Sequence, residues 1–494
     1  MAGRVWLLTE ENGLGLSGIS GVLEGAPGPG ESVGGDAIIR LGRGAGDSDP
    51  RLGQAREAWV WNEKANEVAS LEAEEWERRL RREGFVASLP ESAESGAPGG
   101  ARRSGRRLRP ERSLLPGVWG AGIGADRNAM ESGFRVSVFG LGTALVVPSP
   151  IEFRRPLELE RRLARASARA LYVLGLDSGT VWWRVGRDGR LGAITDLSPW
   201  LVEEGEEWNL LLAEGLEAFA LQWRKEALEP VRVRLGADPE FVLLSPEGKI
   251  VPASRYLPKR GSAGCDSMRV GGTIRWPLGE LRPQPAEEPR ELAASIRRLL
   301  SLAAERTSGA AVRFRAGAAP VRGMPLGGHL HVSGAALTGE RLRALDNAVA
   351  LPLRLLEPAE ANRRRPRYGS LGDFRPKSHG GFEYRTPPSW LVSPLLARGT
   401  LALAKLAAEH SRQLAGNRPL DEDGMRDAFY EGDREKLLEG AERIYRSIQS
   451  TPAYARYRED VDPLFRAIRE GRHWDEATDL RSKWRIPHVP VPDR

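Results

Sequence analysis

The alternation of apolar and polar residues along the chain predicts short strands separated by amphipathic helices. Short apolar runs separated by turn residues in 134–148 and in 231–254 predict strands. The segments "AAVRFRAG" and "GGHLHVSG" predict two further strands. In 289–306 the apolar residues recur three and four positions apart, which predicts a helix with one buried face. Other helices are predicted at about 156–175, 205–228, 339–357 and 393–414.

Interruptions of this pattern divide the chain into three regions. A chain of 494 residues is too long for one compact domain. Residues 1–229 mix strands and helices and contain a segment rich in Pro, Gly and Ser, about 86–116, which predicts a flexible linker. Residues 230–418 predict an α+β domain built on an antiparallel sheet. Residues 419–494 predict a polar, helical C-terminal tail.

The composition excludes several classes of protein. No stretch of about 18 apolar residues is present, so we expect no transmembrane helix and no membrane partner. The apolar run near the N-terminus is too short for a secretory signal, and a cytoplasmic location is the expectation. Cys265 is the single cysteine, which excludes an internal disulfide and a thiolate metal cluster.

The positive charge of the chain does not by itself predict a nucleic-acid partner. The net charge of +6 arises from basic residues interleaved with 67 acidic ones. The one basic run, residues 101–112, lies in the predicted linker, where a solvated segment is the simpler interpretation. A nucleic-acid arm at this run remains an alternative, and it would bind with strong salt dependence.

Four short segments of the second half carry ionisable side chains two residues apart in otherwise apolar strands. Alternate residues of a strand point to the same face. Each of these pairs therefore lies on one face: Asp238 and Glu240, Glu280 and Arg282, His329 and His331, and Glu383 and Arg385. Any one pair is explained by a local ion pair or an exposed histidine, and Asp238 before Pro239 is also a good turn residue. Four pairs in one domain are better explained by a binding site, since buried charges are costly unless paired or bound to metal.

The residue types on these strands limit what such a site binds. Carboxylates with one or two imidazoles suit Mg²⁺ or Mn²⁺, whereas structural zinc favours thiolates. Neighbouring arginines suit phosphate groups, which they bind with two hydrogen bonds. Metal, arginine and carboxylate together are the groups that handle a nucleoside triphosphate. The glycine pair Gly327–Gly328 predicts a close approach of another group to the backbone.

Residues 231–400 resemble a known family, the phage-type carboxylate–amine ligases, also called type 2 amidoligases. The resemblance lies in "GADPEF", "ELRPQP", "GGHLHVS" and "RYGSLGDFRPKSHGGFEYRTPPSWL", which occur in the order of the family's motifs. The family is related to glutamate–cysteine ligase and glutamine synthetase. The resemblance implies the glutamine-synthetase-like fold, a curved antiparallel sheet with helices. It also implies an ATP- and Mg²⁺-dependent ligase (with Mn²⁺ as the alternative ion) that joins a small-molecule or peptide carboxylate to an amine through an acyl phosphate.

The resemblance also assigns roles to individual residues. It implies Glu240, Glu280 and Glu383 as metal ligands and His329 as a further contact to metal or phosphate. Arg385 is expected to hold the transferring phosphate, with Arg282 assisting. The remaining candidates are Asp238, as a metal ligand or only a turn residue, and four contacts to ATP or substrate: His331, Asp266, Arg367 and Arg375.

The first half resembles a degenerate ATP-grasp ligase. Trp182 stands where that family has a metal-binding aspartate, and Asp196 and Ser198 stand where it has Glu and Asn. Lys64 is the one lysine before Lys225, although an active site of this type needs lysines for the phosphates. We therefore expect that the first half does not hydrolyse ATP. A fusion of two ligase-like halves suggests peptide modification.

Two other functions fit the same residues. A metal-dependent hydrolase would use the two histidines and a glutamate to bind zinc and activate water. A ligase-derived binding protein without catalytic activity would bind the nucleotide and not turn it over. The release of ADP, and its dependence on an added amine, distinguishes the three.

Overall fold

The computed structural model describes residues 3–9, 16, 18–25, 27, 35–41, 59–88, 132–202, 205–270, 272–378 and 380–488. The chain forms two compact units, Met1–Ala227 and Leu228–Arg494. Most of the predicted linker, from residue 89 on, lies outside the described residues, as does the basic run 101–112. Within the described ranges no helix has the length and apolar character needed to span a bilayer.

The first unit contains two four-stranded sheets. A parallel sheet has the strand order β2-β1-β3-β4, and an antiparallel sheet has the order β6-β5-β7-β8. The strands are β1 (Val5–Thr9), β2 (Val22–Glu24), β3 (Ala37–Leu41), β4 (Trp59–Val60), β5 (Ser132–Phe139), β6 (Thr143–Val147), β7 (Ser178–Val185) and β8 (Leu191–Ser198). The helices are Ala65–Ala69, Ala73–Arg82, Pro156–Val173 and Glu206–Leu228.

The long helices of this unit form where the apolar periodicity predicts them. The helix Pro156–Val173 begins with proline at its first turn, where the missing N–H costs nothing. In Glu206–Leu228 the side chains of Trp208, Leu212 and Leu216 are fully buried at a spacing of four residues. They pack in one core with strands β1 and β3, so burial of a single face stabilises this helix.

The second unit carries two antiparallel sheets. One has the order β11-β10-β13-β12 with β14 also paired to β10, and the other has the order β16-β17-β15-β9. Its strands are β9 (Arg234–Ala237), β10 (Glu240–Leu244), β11 (Ile250–Val251), β12 (Ala263–Val270), β13 (Thr273–Leu281), β14 (Arg313–Arg315), β15 (Leu330–Ser333), β16 (Phe374–Pro376) and β17 (Phe382–Tyr384). These sheets and the helices around them confirm the predicted α+β class.

Helices cover the sheets of the second unit and share one core with them. Their bounds are Pro289–Arg306, Gly339–Leu345, Leu351–Leu356, Pro394–Glu409, Ser411–Leu414, Asp423–Glu431, Arg434–Gln449, Tyr454–Arg469 and Leu480–Lys483. Short 3₁₀ turns occur at Ala253–Arg255, Ala359–Arg364, Trp390–Val392 and Pro419–Asp421, and one π-helical turn at Asp346–Ala350. Phe429, Ile444 and Phe465 of the last third are buried in the same core as Phe241 and Leu330 of the strands. Residues 419–488 thus pack as part of this unit.

Candidate functional site

Two rows of residues cross the sheet β16-β17-β15-β9 on one face. The first row follows the strand register and consists of Gly236, His331, Glu383 and Arg375. The second row lies two residues further along each strand and consists of Asp238, His329, Arg385 and Asp373. Backbone hydrogen bonds align its ends, with Asp238 N donating to His329 O at 3.3 Å and Arg385 N donating to Asp373 O at 2.8 Å. We call this surface the polar face.

Asp238 lies between the two imidazoles. Its Oδ1 is 3.1 Å from His329 Nδ1 and its Oδ2 is 3.1 Å from His331 Nε2. Burial raises the pKa of Asp238, but the two histidine hydrogen bonds more than offset burial and hold this pKa well below its usual range. Burial lowers the pKa of His329, yet its bond to Asp238 leaves this pKa above the usual value. The raised pKa favours the imidazolium form of His329, and this form suits contact with phosphate better than ligation of a metal.

Glu383 is the buried centre of the polar face. Its Oε1 is 3.5 Å from His329 Nδ1 and 3.1 Å from Arg385 Nε. Its Oε2 accepts hydrogen bonds from Arg375, at 3.2 Å, and from Lys377. Burial raises the pKa of Glu383, but the bond from Lys377 and the nearby cations lower it below the usual value. Glu383 is therefore a carboxylate at neutral pH, surrounded by an excess of positive charge.

Three side chains of the polar face have the composition of a metal site. One ligand atom each of Asp238, His331 and Glu383 can be chosen so that all lie within 4.8 Å of one another. Across the described ranges, this is the one such group of three or more His, Cys, Asp or Glu residues. Two carboxylates and one imidazole without thiolate fit Mg²⁺ or Mn²⁺, so the donor set agrees with the ion that the resemblance implies.

Glu240 and Glu280 add two acidic groups on the neighbouring sheet. The two residues are paired directly across β10 and β13, and their exposed fractions are only 7% and 6%. Glu240 Oε2 accepts a hydrogen bond from Gly327 N at 2.7 Å. Burial raises the pKa of Glu240 to about 7 in spite of this bond and the charge of His329. Two buried carboxylates opposite each other repel when both are ionised, and a bound cation would relieve that repulsion.

Arg282 and Asp266 flank the glutamate pair. Arg282 contacts Glu280 and donates from Nη1 to Gly261 O at 3.0 Å. Asp266 is half-buried on β12, on the face that carries Glu280, and its charge contributes to the raised pKa of Glu240. Both side chains thus lie beside the acidic pair.

Glycines make room for the two imidazoles. A Cβ at Gly236, opposite His331 in the register, would lie 3.3 Å from His331 Cβ. A Cβ at Gly327 would lie 2.6 Å from His329 Nε2. At Gly328 the backbone is approached by Pro388 O, which would be 2.3 Å from a Cβ. The close approach predicted at Gly327–Gly328 is therefore made by groups of the protein itself.

One predicted residue packs on its own neighbour in the chain, and two residues that contact the cluster are absent from the prediction. Arg367 is exposed and its guanidinium packs over the ring of Tyr368, 5.5 Å from the centroid. Lys377 contacts Glu383, and Asp373 lies 3.7 Å from Arg385 Nη1. Arg375 and Lys377 repeat the two-residue spacing of the other pairs, which is a signal that could have found Lys377.

Comparison with known proteins identifies a family for the second unit. The family model described as "Phage phiEco32-like COOH.NH2 ligase-type 2" matches residues 235–486, slightly more than half of the chain. The match contains both rows of the polar face and the glutamate pair. No curated protein matches the chain.

Solved structures similar to this chain include a bifunctional glutathione synthetase from Pasteurella multocida. The sequence identity is 10% and the TM-score is 0.31, over 52% of this chain and 48% of that chain. The aligned part thus spans about half the length of that protein, and a likeness at this level carries no information on activity.

Proposed function

Because the chain belongs to the phage phiEco32-like COOH.NH2 ligase-type 2 family, we propose that it is an ATP-dependent carboxylate–amine ligase whose active centre is the polar face and the Glu240–Glu280 pair. The observation that carries the proposal is the environment of Glu383. One buried carboxylate is contacted by Arg375, Lys377 and Arg385 on the same face as two histidines and a second carboxylate. Stability alone does not require so many charges at one point.

The acidic residues are the proposed holders of a divalent cation. Asp238, His331 and Glu383 would bind one Mg²⁺ or Mn²⁺, and the buried pair Glu240 and Glu280 would bind a second. A divalent cation bound there supplies positive charge to the phosphate oxygens of ATP and favours departure of ADP. The raised pKa of Glu240 agrees with this role, because a carboxyl group that is costly to ionise alone gains most from a bound cation.

The cationic residues are the proposed phosphate contacts. Arg385 contacts Oε1 of Glu383, and its N–H groups would hold the oxygens of the transferring phosphoryl group. Arg375 and Lys377 contact Oε2 and would bind the other phosphates of ATP. A carboxylate oxygen of the acid substrate attacks the γ-phosphorus, the bond to the β-phosphate oxygen breaks, and ADP leaves. The amine then attacks the carbonyl carbon of the acyl phosphate, inorganic phosphate leaves, and a proton is lost from nitrogen.

The first unit is proposed to take no part in phosphoryl transfer. Trp182 and Asp196 are paired in register on β7 and β8, so the positions of the ATP-grasp resemblance are neighbours in one hairpin. The Asp196 carboxylate accepts a hydrogen bond from Leu197 N, and Ser198 Oγ accepts one from Trp200 N. These bonds are local, and the one metal-type group of the described residues lies in the second unit.

The release of ADP tests the proposed reaction. The full-length protein would be incubated with ATP and MgCl₂ and screened against amino acids and short peptides, as acids and as amines. The ligase predicts ADP formation that requires both an acid and an amine, together with one amide bond per ADP. Cleavage of amide substrates without ATP would favour the metal-dependent hydrolase, for which Asp238, His331 and Glu383 also form a suitable donor set. Nucleotide binding with no ADP under any pair would favour an inactive binding protein.

A further inference from the structure

Arg364 is a buried guanidinium without a hydrogen-bond partner at Nε or Nη1. It ends the 3₁₀ turn Ala359–Arg364, and only 6% of the residue is exposed. Neither Nε nor Nη1 bonds to any residue in the described part of the chain. Burial lowers the pKa of Arg364 to about 10, so the side chain keeps its charge at neutral pH. A buried cation without a partner is strongly unfavourable, and proteins retain such a group where something else supplies the anion.

One buried carboxylate that acts electrostatically on Arg364, that of Glu357, already accepts hydrogen bonds from another arginine. Glu357 accepts two hydrogen bonds from Arg365, both at 2.6 Å. Arg354 approaches the same carboxylate at 3.9 Å and donates to Phe429 O and to Asn362 Oδ1. The charges of three guanidiniums, those of Arg354, Arg364 and Arg365, therefore act on one glutamate. Glu240 and Glu476 also act on Arg364 electrostatically, but neither accepts a hydrogen bond from its Nε or Nη1.

The backbone places this guanidinium beside the end of strand β17. A Cβ at Gly369 would lie 3.1 Å from Arg364 Cζ and 3.2 Å from Thr386 O, so the absence of a side chain at Gly369 makes room for the guanidinium beside this backbone. Thr386 follows Arg385 directly. Three residues later, Ser389 Oγ donates to the backbone oxygen of Glu240. Arg364 thus lies close to the backbone of the residue that follows Arg385, and the charge of Glu240 acts on it electrostatically.

We infer that Arg364 is an anion-binding residue at the inner end of the proposed active centre, where its guanidinium takes oxygen atoms of a phosphoryl or carboxylate group. The identity of the anion, either the phosphates of ATP or the carboxylate of the acid substrate, rests on the proposed function. The existence of the anion site does not. Both Nε and Nη1 of Arg364 carry N–H groups without an acceptor among the described residues, and charge-assisted hydrogen bonds from such groups suit the oxygens of a phosphoryl group or a carboxylate.

The substitution Arg364→Met separates anion binding from a structural role, because Met fills a similar volume without charge. The full-length protein would be titrated calorimetrically, at constant ionic strength, with inorganic phosphate, ADP and acetate. For Arg364→Met we expect at least a tenfold loss of affinity for one of these probes. Without any probe, we expect its melting temperature to equal or exceed that of the wild type, because the unpartnered charge is gone. The matched control Arg363→Gln removes an exposed arginine of the same 3₁₀ turn and should change neither measurement.

Each outcome of this experiment decides the inference. If Arg364→Met loses affinity for phosphate and ADP but not for acetate, the guanidinium binds the nucleotide. If it loses affinity for acetate alone, the guanidinium binds the acid substrate. If Arg364→Met binds all three probes with unchanged affinity, the inference is wrong. A lower melting temperature with unchanged affinities would show in addition that Arg364 has a structural role. Arg364→Lys, which keeps the charge, should retain part of the binding and guards against a folding defect. None of these measurements needs turnover. If the wild type binds anions but forms no amide, the proposed ligase activity is wrong and the inferred anion site still stands.

Discussion

Glu240 and Glu280 face each other directly across two antiparallel strands, and both are almost completely buried. Arg282 contacts Glu280, whereas Glu240 has a backbone N–H as its hydrogen-bond donor. Burial raises the pKa of Glu240 to about 7, and the charges of Asp266 and Asp238 act in the same direction. Such a pair costs folding free energy when no cation is bound, and this cost can be measured.

Glu240→Gln is expected to stabilise the metal-free protein at pH 8. The pKa of Glu240 is raised from 4.5 to about 7, so the folded protein binds an additional proton between these pH values. The contribution of Glu240 to stability is present below about pH 4.5 and is lost as the pH rises to about 7. At about 1.4 kcal/mol per pH unit, the Gln variant gains at most about 3 kcal/mol at pH 8 and little at pH 5. Urea unfolding in EDTA at both pH values measures the difference.

Two comparisons make this test of Glu240 decisive. Glu305→Gln removes an exposed carboxyl of the helix Pro289–Arg306 and should leave both stabilities unchanged. Addition of MgCl₂ should stabilise the wild type more than the Glu240→Gln variant. Equal stabilisation of both proteins by MgCl₂ would remove Glu240 from the proposed metal ligands.

Glu383→Gln is expected to abolish ATP turnover and leave the fold intact. Gln retains the size of the side chain but removes the charge that Arg375, Lys377 and Arg385 surround. We expect turnover to fall by at least about 100-fold, since a metal-site carboxylate and its partners act together. ADP formation and far-ultraviolet circular dichroism measure the two effects. Glu459→Gln, at an exposed ion pair with Arg290, is the control, and retained turnover in Glu383→Gln would take Glu383 out of the active centre.

His331→Ala is expected to weaken Mn²⁺ binding by about 10- to 100-fold. His331 contributes one of the three donors and also forms a hydrogen bond with Asp238. Its removal therefore takes away one ligand and allows the Asp238 carboxylate to rotate. Electron paramagnetic resonance of Mn²⁺ titrated into the full-length protein measures the affinity. His410→Ala, whose imidazole bonds Gln413 instead, should bind Mn²⁺ like the wild type. If His331→Ala also binds Mn²⁺ like the wild type, the ion is not bound by Asp238, His331 and Glu383.

Lys377→Met is expected to raise KM for ATP by about 10-fold or more, with a smaller effect on kcat. A charge-assisted hydrogen bond contributes about 1.5–3 kcal/mol, and a contact made equally in the ground and transition states appears in KM alone. Steady-state kinetics at saturating acid and amine measure both constants. Lys249→Met, at an exposed turn, is the matched control. A drop in kcat with KM unchanged would instead place Lys377 at the group that develops charge during transfer.

Trp182→Ala is expected to leave ADP formation within about twofold of the wild type. Trp182 is half-buried on β7 in the first unit, opposite Asp196, and takes no part in the proposed chemistry. Turnover and the ATP dependence of the melting temperature would be compared between the two proteins. Loss of nucleotide binding by a well-folded Trp182→Ala protein would show that the first unit binds ATP, contrary to the proposal.

The strand pattern predicts much of the candidate site because side chains of strands alternate strictly. The two-residue spacing of His329 and His331, and of Glu383 and Arg385, places each pair on one face before any tertiary contact is known. The helix 289–306 was predicted at its observed bounds, since one apolar stripe determines it.

Other features depend on tertiary contacts that the pattern does not contain. The helix predicted at 339–357 is interrupted by a π-helical turn, where buried Asp346 accepts a hydrogen bond from Tyr384 OH at 2.7 Å. Pro376 separates Arg375 from Lys377 and argues against a strand, but β16 is an edge strand, where proline is tolerated. Nothing in the run of arginines at 363–365 indicates that Arg364 is buried. The side chain of Arg364 packs against Gly369, a contact that the local sequence does not show.

The register of β15 has a consequence for how this protein can change over generations. His329 and His331 point to the polar face, rather than to the buried face of the sheet, only while Leu330 stays paired with Tyr384 and Ala237. A slip of this strand by one residue would turn both imidazoles away and bring Leu330 and Val332 onto the charged surface. A single insertion or deletion that shifts the strand would thus remove His329 and His331 from the polar face together. Changes in the length of the connecting loops would leave both in place.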